Sequence, residues 1–124
     1  MKRGRNKKFV LNFDELTIKD IPLVGGKNAS LGEMYKELKK KGVKVPNGFA
    51  VTAHAYTYFI EKKGLKQKIR QTLKDLNTHD TRNLMKKGLE VRKAILKEDL
   101  PKEIENEIIK HYKKLCKQYK HQVD

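Results

Sequence analysis

The run Leu23-Val24-Gly25-Gly26-Lys27-Asn28-Ala29-Ser30-Leu31-Gly32-Glu33-Met34 constrains this chain more than any other segment. It sets two glycines and a lysine at the start of an amphipathic helix. Leu31, Met34, Tyr35 and Leu38 follow the i, i+3, i+4, i+7 spacing of one buried face, which predicts a helix over about 28–41. Gly42 is placed to end it as a residue past the C-cap. Glycines allow the backbone a sharp turn and a close approach to a neighbour. The first amides of a helix have no acceptor within it, and the adjoining ammonium adds positive charge. A glycine pair before a helix also serves simply as a turn. The segment is therefore a candidate anion site, with phosphate the chemistry it suits.

With 37% hydrophobic and 36% charged residues in 124, apolar side chains must be strictly segregated to build the core of one small domain. Polar residues interrupt every apolar stretch, so no membrane span is expected. The basic start Met1-Lys2-Arg3-Gly4-Arg5-Asn6-Lys7-Lys8 lacks a secretory apolar region, which points to the cytoplasm. One cysteine, Cys116, excludes an intramolecular disulfide. The formal charge of +15 favours anionic partners, nucleotide or nucleic acid, and says nothing of fold.

Residues 1–8 are expected to be a disordered basic terminus, and 9–124 one unit without internal repeats or a linker. Phe9–Phe13 reads as a short strand. Phe49–Thr52 reads as a second, short enough to be buried on both faces. Thr52 is placed to cap a helix over about 53–63, with Tyr56, Phe59 and Ile60 on its inner side and Gly64 as its breaker. Leu65, Ile69, Leu73 and Leu76 define a third helix. Thr78 or Asp80 caps a fourth, whose inner stripe is Leu84, Gly88, Val91 and Ile95. Pro101 opens a fifth, carrying Ile104, Ile108, Tyr112, Leu115 and Tyr119. Val123 looks like the start of a further strand. The expected class is α+β, a small two-strand element with about five helices.

Three segments together resemble a known family: Phe13-Asp14-Glu15-Leu16, the run Ile21–Met34, and Val45-Pro46-Asn47-Gly48-Phe49-Ala50-Val51-Thr52-Ala53-His54-Ala55-Tyr56. In this order they are similar to the N-terminus of the phosphoenolpyruvate synthase (pyruvate, water dikinase) and pyruvate phosphate dikinase family, which rifampin phosphotransferase also shares. The resemblance implies the first subdomain of an ATP-grasp-type nucleotide-binding domain. It implies an ATP-dependent phosphotransferase in which a histidine on another domain carries the phosphoryl group to pyruvate, with magnesium assisting. Lys27 matches the family's phosphate-contacting lysine, and Gly25, Gly26 and Asn28 its flanks, giving an ATP phosphate-binding set of four. The family's Arg-Ser-Ser strand, glycine-rich nucleotide loop, acidic metal ligands, phosphohistidine domain and barrel are not among these residues. The chain alone is accordingly expected to be inactive, with no complete catalytic or metal site. A fragment of such an enzyme is the leading expectation. A split-enzyme subunit or interaction module that needs a partner chain is an alternative, with the edge near Val123 as its contact.

Other reactive residues have plainer readings. His54, His79, His111, His121 and Cys116 lack paired metal-ligand spacing, and Cys116 has no accompanying base. Tyr56, Tyr58 and Phe59 could stack on bases, but helical spacing puts Tyr56 and Phe59 in a core. Asp14 and Glu15 fall at a strand end, where surface placement is usual. Lys39-Lys40-Lys41 and Lys62-Lys63 suit nonspecific phosphate contact, and no motif for specific nucleic-acid readout accompanies them. A basic nucleic-acid-binding remnant is the third reading.

Overall fold

A computed structural model describes residues 2–120. His121 and the strand start expected at Val123 lie outside the described residues. The fold is α+β, as the sequence predicts, with a two-stranded antiparallel sheet among helices. The described residues fall into two compact units, where the sequence suggested one. The first joins residues up to Tyr56 to those from Lys102 onward, and the second is Thr57–Pro101.

In the first unit, α1 (Lys2–Arg5) precedes β1 (Val10–Asn12), followed by 3-10 turns at Phe13–Glu15 and Ile18–Asp20. The short α2 (Ile21–Val24) leads to α3 (Gly26–Lys40), and β2 (Phe49–Val51) returns antiparallel to β1. The register pairs Val10 with Val51, Leu11 with Ala50 and Asn12 with Phe49. Alternation along a strand therefore puts Leu11 and Ala50 on one face. There they pack with Leu16, Val24 and Ala29 in the main core. Phe49 belongs to the other face and meets His111 of α7 (Lys102–Tyr119), with ring centroids 5.9 Å apart. The expectation of a second strand buried on both faces fails at Val51, which is 45% exposed. A strand this short ends before its last residue is covered.

The seat of α3 is close. A Cβ added at Gly32 would lie 2.5 Å from Leu16 Cβ and 2.9 Å from Phe13 O, nearer than van der Waals contact permits. At its far end, Val43 N–H donates to Leu38 O (3.0 Å) and Gly42 N–H to Lys39 O (3.1 Å), with Gly42 at φ 78°. This paired pattern satisfies the last carbonyls and accounts for the glycine.

The N-terminal segment is tied down at Arg5–Phe9, unlike the loose terminus expected over residues 1–8. Arg5 Nη2 donates to Asp20 Oδ2 (2.8 Å) and to Glu15 O (2.6 Å). Thr52 Oγ1 donates to Lys8 O (2.6 Å), and Thr52 N–H to Phe9 O (2.9 Å). Charge density alone argued for disorder, whereas the carboxylate at Asp20 supplies one arginine with a partner. Burial pushes the Asp20 carboxyl up, but the Thr17 N–H and the Arg5 guanidinium outweigh it and hold it below its ordinary value. At Glu15, burial is likewise outweighed by the Asn12 N–H and Lys8.

Thr52 caps α4 (Ala53–Lys62) as expected, accepting from Ala55 N–H at 3.2 Å. On the inner side of α4, Phe59 is buried and Ile60 half-buried as expected, but Ala55 takes the place expected for Tyr56. Thr52, Ala55 and Phe59 are buried, while Tyr56 is 53% exposed and so leaves the predicted core. The second unit carries α5 (Leu65–Thr72) and α6 (Thr81–Lys97), which pack together. Gly64 takes the left-handed conformation before α5 (φ 66°). Asp80, not Thr78, caps α6, accepting from Arg82 N–H (3.1 Å) and Asn83 N–H (3.2 Å). Of the expected stripe, Gly88, Val91 and Ile95 are half-buried and Leu84 is exposed.

Both carboxyls are held below their unfolded values, so each adds stability above the ordinary carboxylate range and loses it as pH falls through the folded value. Asp20→Asn should cost about 1–2 kcal/mol at neutral pH, the worth of a hydrogen-bonded charge. It should also flatten the acid limb of a urea-unfolding series. A variant with the wild-type acid limb would rule out the Arg5–Asp20 pair as its source.

Candidate phosphate-binding site

The glycine turn is built from both sides. Thr17 caps the 3-10 turn that Asp20 closes, with Thr17 N–H donating to Asp20 Oδ2 at 2.8 Å. Pro22 lies in the first turn of α2, where its missing N–H costs nothing. Gly25 then ends α2 and starts α3. Its N–H donates to Ile21 O (2.8 Å) and its carbonyl accepts from Ala29 N–H (3.0 Å). Its backbone is at φ 84°, ψ 160°, a region essentially closed to side-chain-bearing residues. Gly25 is therefore required by the fold.

Gly26 is not. It has helical geometry, and a Cβ there would meet nothing within 4 Å. The backbone at Gly26 is open to approach from solvent. The amides of Gly26, Lys27 and Asn28 precede the first intrahelical hydrogen bond and have no acceptor within α3. Lys27 is exposed and makes no ion pair among the described residues. No acidic side chain occupies the first turn of α3 to compete for this positive end. Asn28 is committed in part, its Nδ2 donating to Val24 O at 3.0 Å, which braces the bend between α2 and α3. Of the four predicted residues, Gly25 shapes the turn, Gly26 and Lys27 face outward, and Asn28 serves the bend and contributes an amide.

The larger clefts lie elsewhere. One of about 480 Å³ is lined by Tyr35, Lys39, Val43, Pro46 and Tyr119 at the opposite end of α3, about 20 Å along the helix from Lys27. Another, of about 590 Å³, lies along Arg5, Thr17, Asp20 and Glu33. None of the four clefts described is lined by the glycine turn. The turn thus stands on an open surface with no opposing wall from these clefts. The sequence reading missed the first groove. Its makings are the Tyr35–Lys39 pair, in which Nζ donates to the phenol oxygen at 3.1 Å, and Tyr119, whose oxygen accepts from Asn47 N–H at 2.6 Å. Tyr35 with Lys39 four residues on was the available signal.

Some of the remaining candidates have structural partners. His54 stacks on Phe9 at 5.5 Å, and His111 Nδ1 lies 2.8 Å from Glu107 O. His79 is exposed and Cys116 half-buried. Asp14 is exposed, while Glu15 accepts from Asn12 N–H at 2.9 Å. Among the described residues, no group of three or more His, Cys, Asp or Glu side chains could hold a metal ion. Nor is any helix there long and apolar enough to cross a membrane.

Residues 21–124, which include the glycine turn, match the family described as pyruvate phosphate dikinase, AMP/ATP-binding domain. The chain belongs to this family. It is 48% identical to the phosphoenolpyruvate synthase of Aquifex aeolicus over 100% of this chain and 15% of that protein. The Synechocystis phosphoenolpyruvate synthase is 46% identical over 89% of this chain and 13% of its own length. For the Escherichia coli phosphoenolpyruvate synthase the figures are 39%, 93% and 14%. The chain thus spans between 13% and 15% of the length of these relatives.

The two glycines of the turn should respond in opposite directions. Gly26→Ala should stabilise the protein by about 0.4–1 kcal/mol by restricting the unfolded chain. Gly25→Ala should destabilise it by about 1–3 kcal/mol through backbone strain. Urea unfolding measures both, and equal effects would contradict the turn geometry.

Proposed function

We infer that this chain is the N-terminal, phosphate-gripping part of the nucleotide-binding domain of a phosphoenolpyruvate synthase-like enzyme, ATP-grasp in type and cytoplasmic. The observation that carries this reading is the open start of α3 inside the family match, where the exposed Lys27 adjoins three helix-start amides. Lys27 would neutralise charge on the β- and γ-phosphates, where it builds during phosphoryl transfer. The Gly26, Lys27 and Asn28 amide N–H groups would donate hydrogen bonds to phosphate oxygens at the positive end of the helix. Gly26 would let the backbone come within hydrogen-bonding distance, since no side chain intervenes.

The residues present suit the phosphates of ATP. They offer magnesium no carboxylate, since the first turn of α3 holds no acidic side chain to share the ion with the phosphates. ATP-dependent phosphoryl transfer through a phosphohistidine to pyruvate would be the work of the whole enzyme. This chain would bind and orient the nucleotide tail, and the rest of the protein would supply the opposing wall, on the same polypeptide or as a separate partner. The chain by itself should show no turnover in a phosphoenolpyruvate-coupled assay.

The test is the thermal shift with Mg-ATP. At a nucleotide concentration about tenfold above Kd, the native chain should gain about 1.4 kcal/mol, a rise of a few degrees in Tm. Lys27→Ala should weaken binding about tenfold or more, the loss of one charge-assisted contact. Equal shifts in the two proteins would remove Lys27 from the site and the reading with it.

A further inference from the structure

The helix α6 carries two apolar lines. Leu84, Gly88, Val91 and Ile95 form the first, with three of the four half-buried in a helix that packs with α5. Met85, Leu89 and Leu96 form the second, roughly 100° further round at 3.6 residues per turn. These three side chains are 67%, 46% and 83% exposed. Exposed apolar residues scattered singly are ordinary. Three in register on one helix, in a chain that is 36% charged, are not.

The border of this line has one sign. By helical position, Arg82, Lys86 and Lys93 run alongside it. Arg92 lies at its inner edge, its Nη1 within 3.2 Å of where a Gly88 Cβ would stand. Glu90, the one carboxylate in the sequence of α6, falls on the far side of the lysines. None of these four cations makes an ion pair among the described residues.

We propose that the Met85–Leu89–Leu96 line of α6, with its cationic border, is a docking face for an acidic amphipathic helix of a protein partner. Apolar side chains of that helix seat between the three exposed residues, and its carboxylates meet Arg82, Lys86 and Lys93. Protein fits better than an anionic membrane surface. The line is three side chains wide, with an arginine at its edge, and the other apolar half of α6 is turned into its own unit, leaving no broad face to enter lipid. The net charge of +15 speeds encounter with an acidic surface. The relatives set a region of this kind within much larger proteins, so extensive protein surface accompanies it in the family. The inference does not depend on nucleotide binding.

The test titrates the full chain with two helical peptides about five turns long. They share leucine positions, but one is otherwise rich in glutamate and the other in lysine. Backbone amide NMR should show saturable binding of the glutamate peptide, with shifts centred on residues 82–97. The lysine peptide should not bind. Leu89→Ser with Leu96→Ser should weaken binding about tenfold or more. Both sites are exposed, so folding should change little, as the melting curve will show. If the double variant unfolds, the peptide pair on the wild-type chain still decides. Unchanged affinity in a folded double variant would overturn the proposal, as would binding of both peptides alike or shifts centred elsewhere. A preference for phosphatidylserine vesicles over the glutamate peptide would overturn it too. The Mg-ATP shift of the double variant should equal that of the native chain, which keeps the two readings separable.

Discussion

The first unit depends on a side chain that is not there. Helix α3 can lie against Leu16 and the carbonyl of Phe13 only because position 32 stops at Cα. With that seat fixed, Ala29 and Tyr35 fall into the core, and the helix start is held outward. Gly25 then makes the bend that joins α2 to α3 at a backbone geometry closed to other residues. The exposure of Gly26 and Lys27 follows from this packing. A helix anchored along its middle presents its first amides as a fixed, preorganised set, which is what an anion site requires.

Much of this was legible in the residues. Apolar spacing gave α3 to within two residues, and Gly42 and Thr52 sit at the caps their chemistry suggests. Errors came where a local pattern had to predict a tertiary choice. On α4, Tyr56 and Ala55 are neighbours in sequence, and size favoured the tyrosine as the inward residue. The small alanine is buried instead, on the same side as Thr52, whose hydroxyl is held by Lys8 O. Shortness suggested burial on both faces of the second strand, yet Val51 at its end is left exposed. Arg5 looked loose because no local pattern announces an ion pair fifteen residues away. The division into two units was invisible, since neither a linker nor a change in composition marks residues 57 or 101.

The candidate site shows the same limit. Glycine, glycine and lysine at a helix start could be read directly, and α3 does begin there. Which glycine serves the fold and which leaves room for a ligand could not be read. That needed φ at Gly25 and the empty space beside Gly26. The family match covers this segment but names no residue of it.

The first unit is also interrupted in sequence. The chain leaves it after Tyr56 and rejoins it at Lys102, and the hydrogen bonds from Asn47 to Gln118 and Tyr119 span more than seventy positions. Closing an excursion of about 45 residues costs about 3 kcal/mol of chain entropy before α7 can reach β1. During synthesis, β1 and β2 can pair early, but the sheet face near Phe49 waits for His111 to leave the ribosome. Maturation of this unit therefore follows the synthesis of α7.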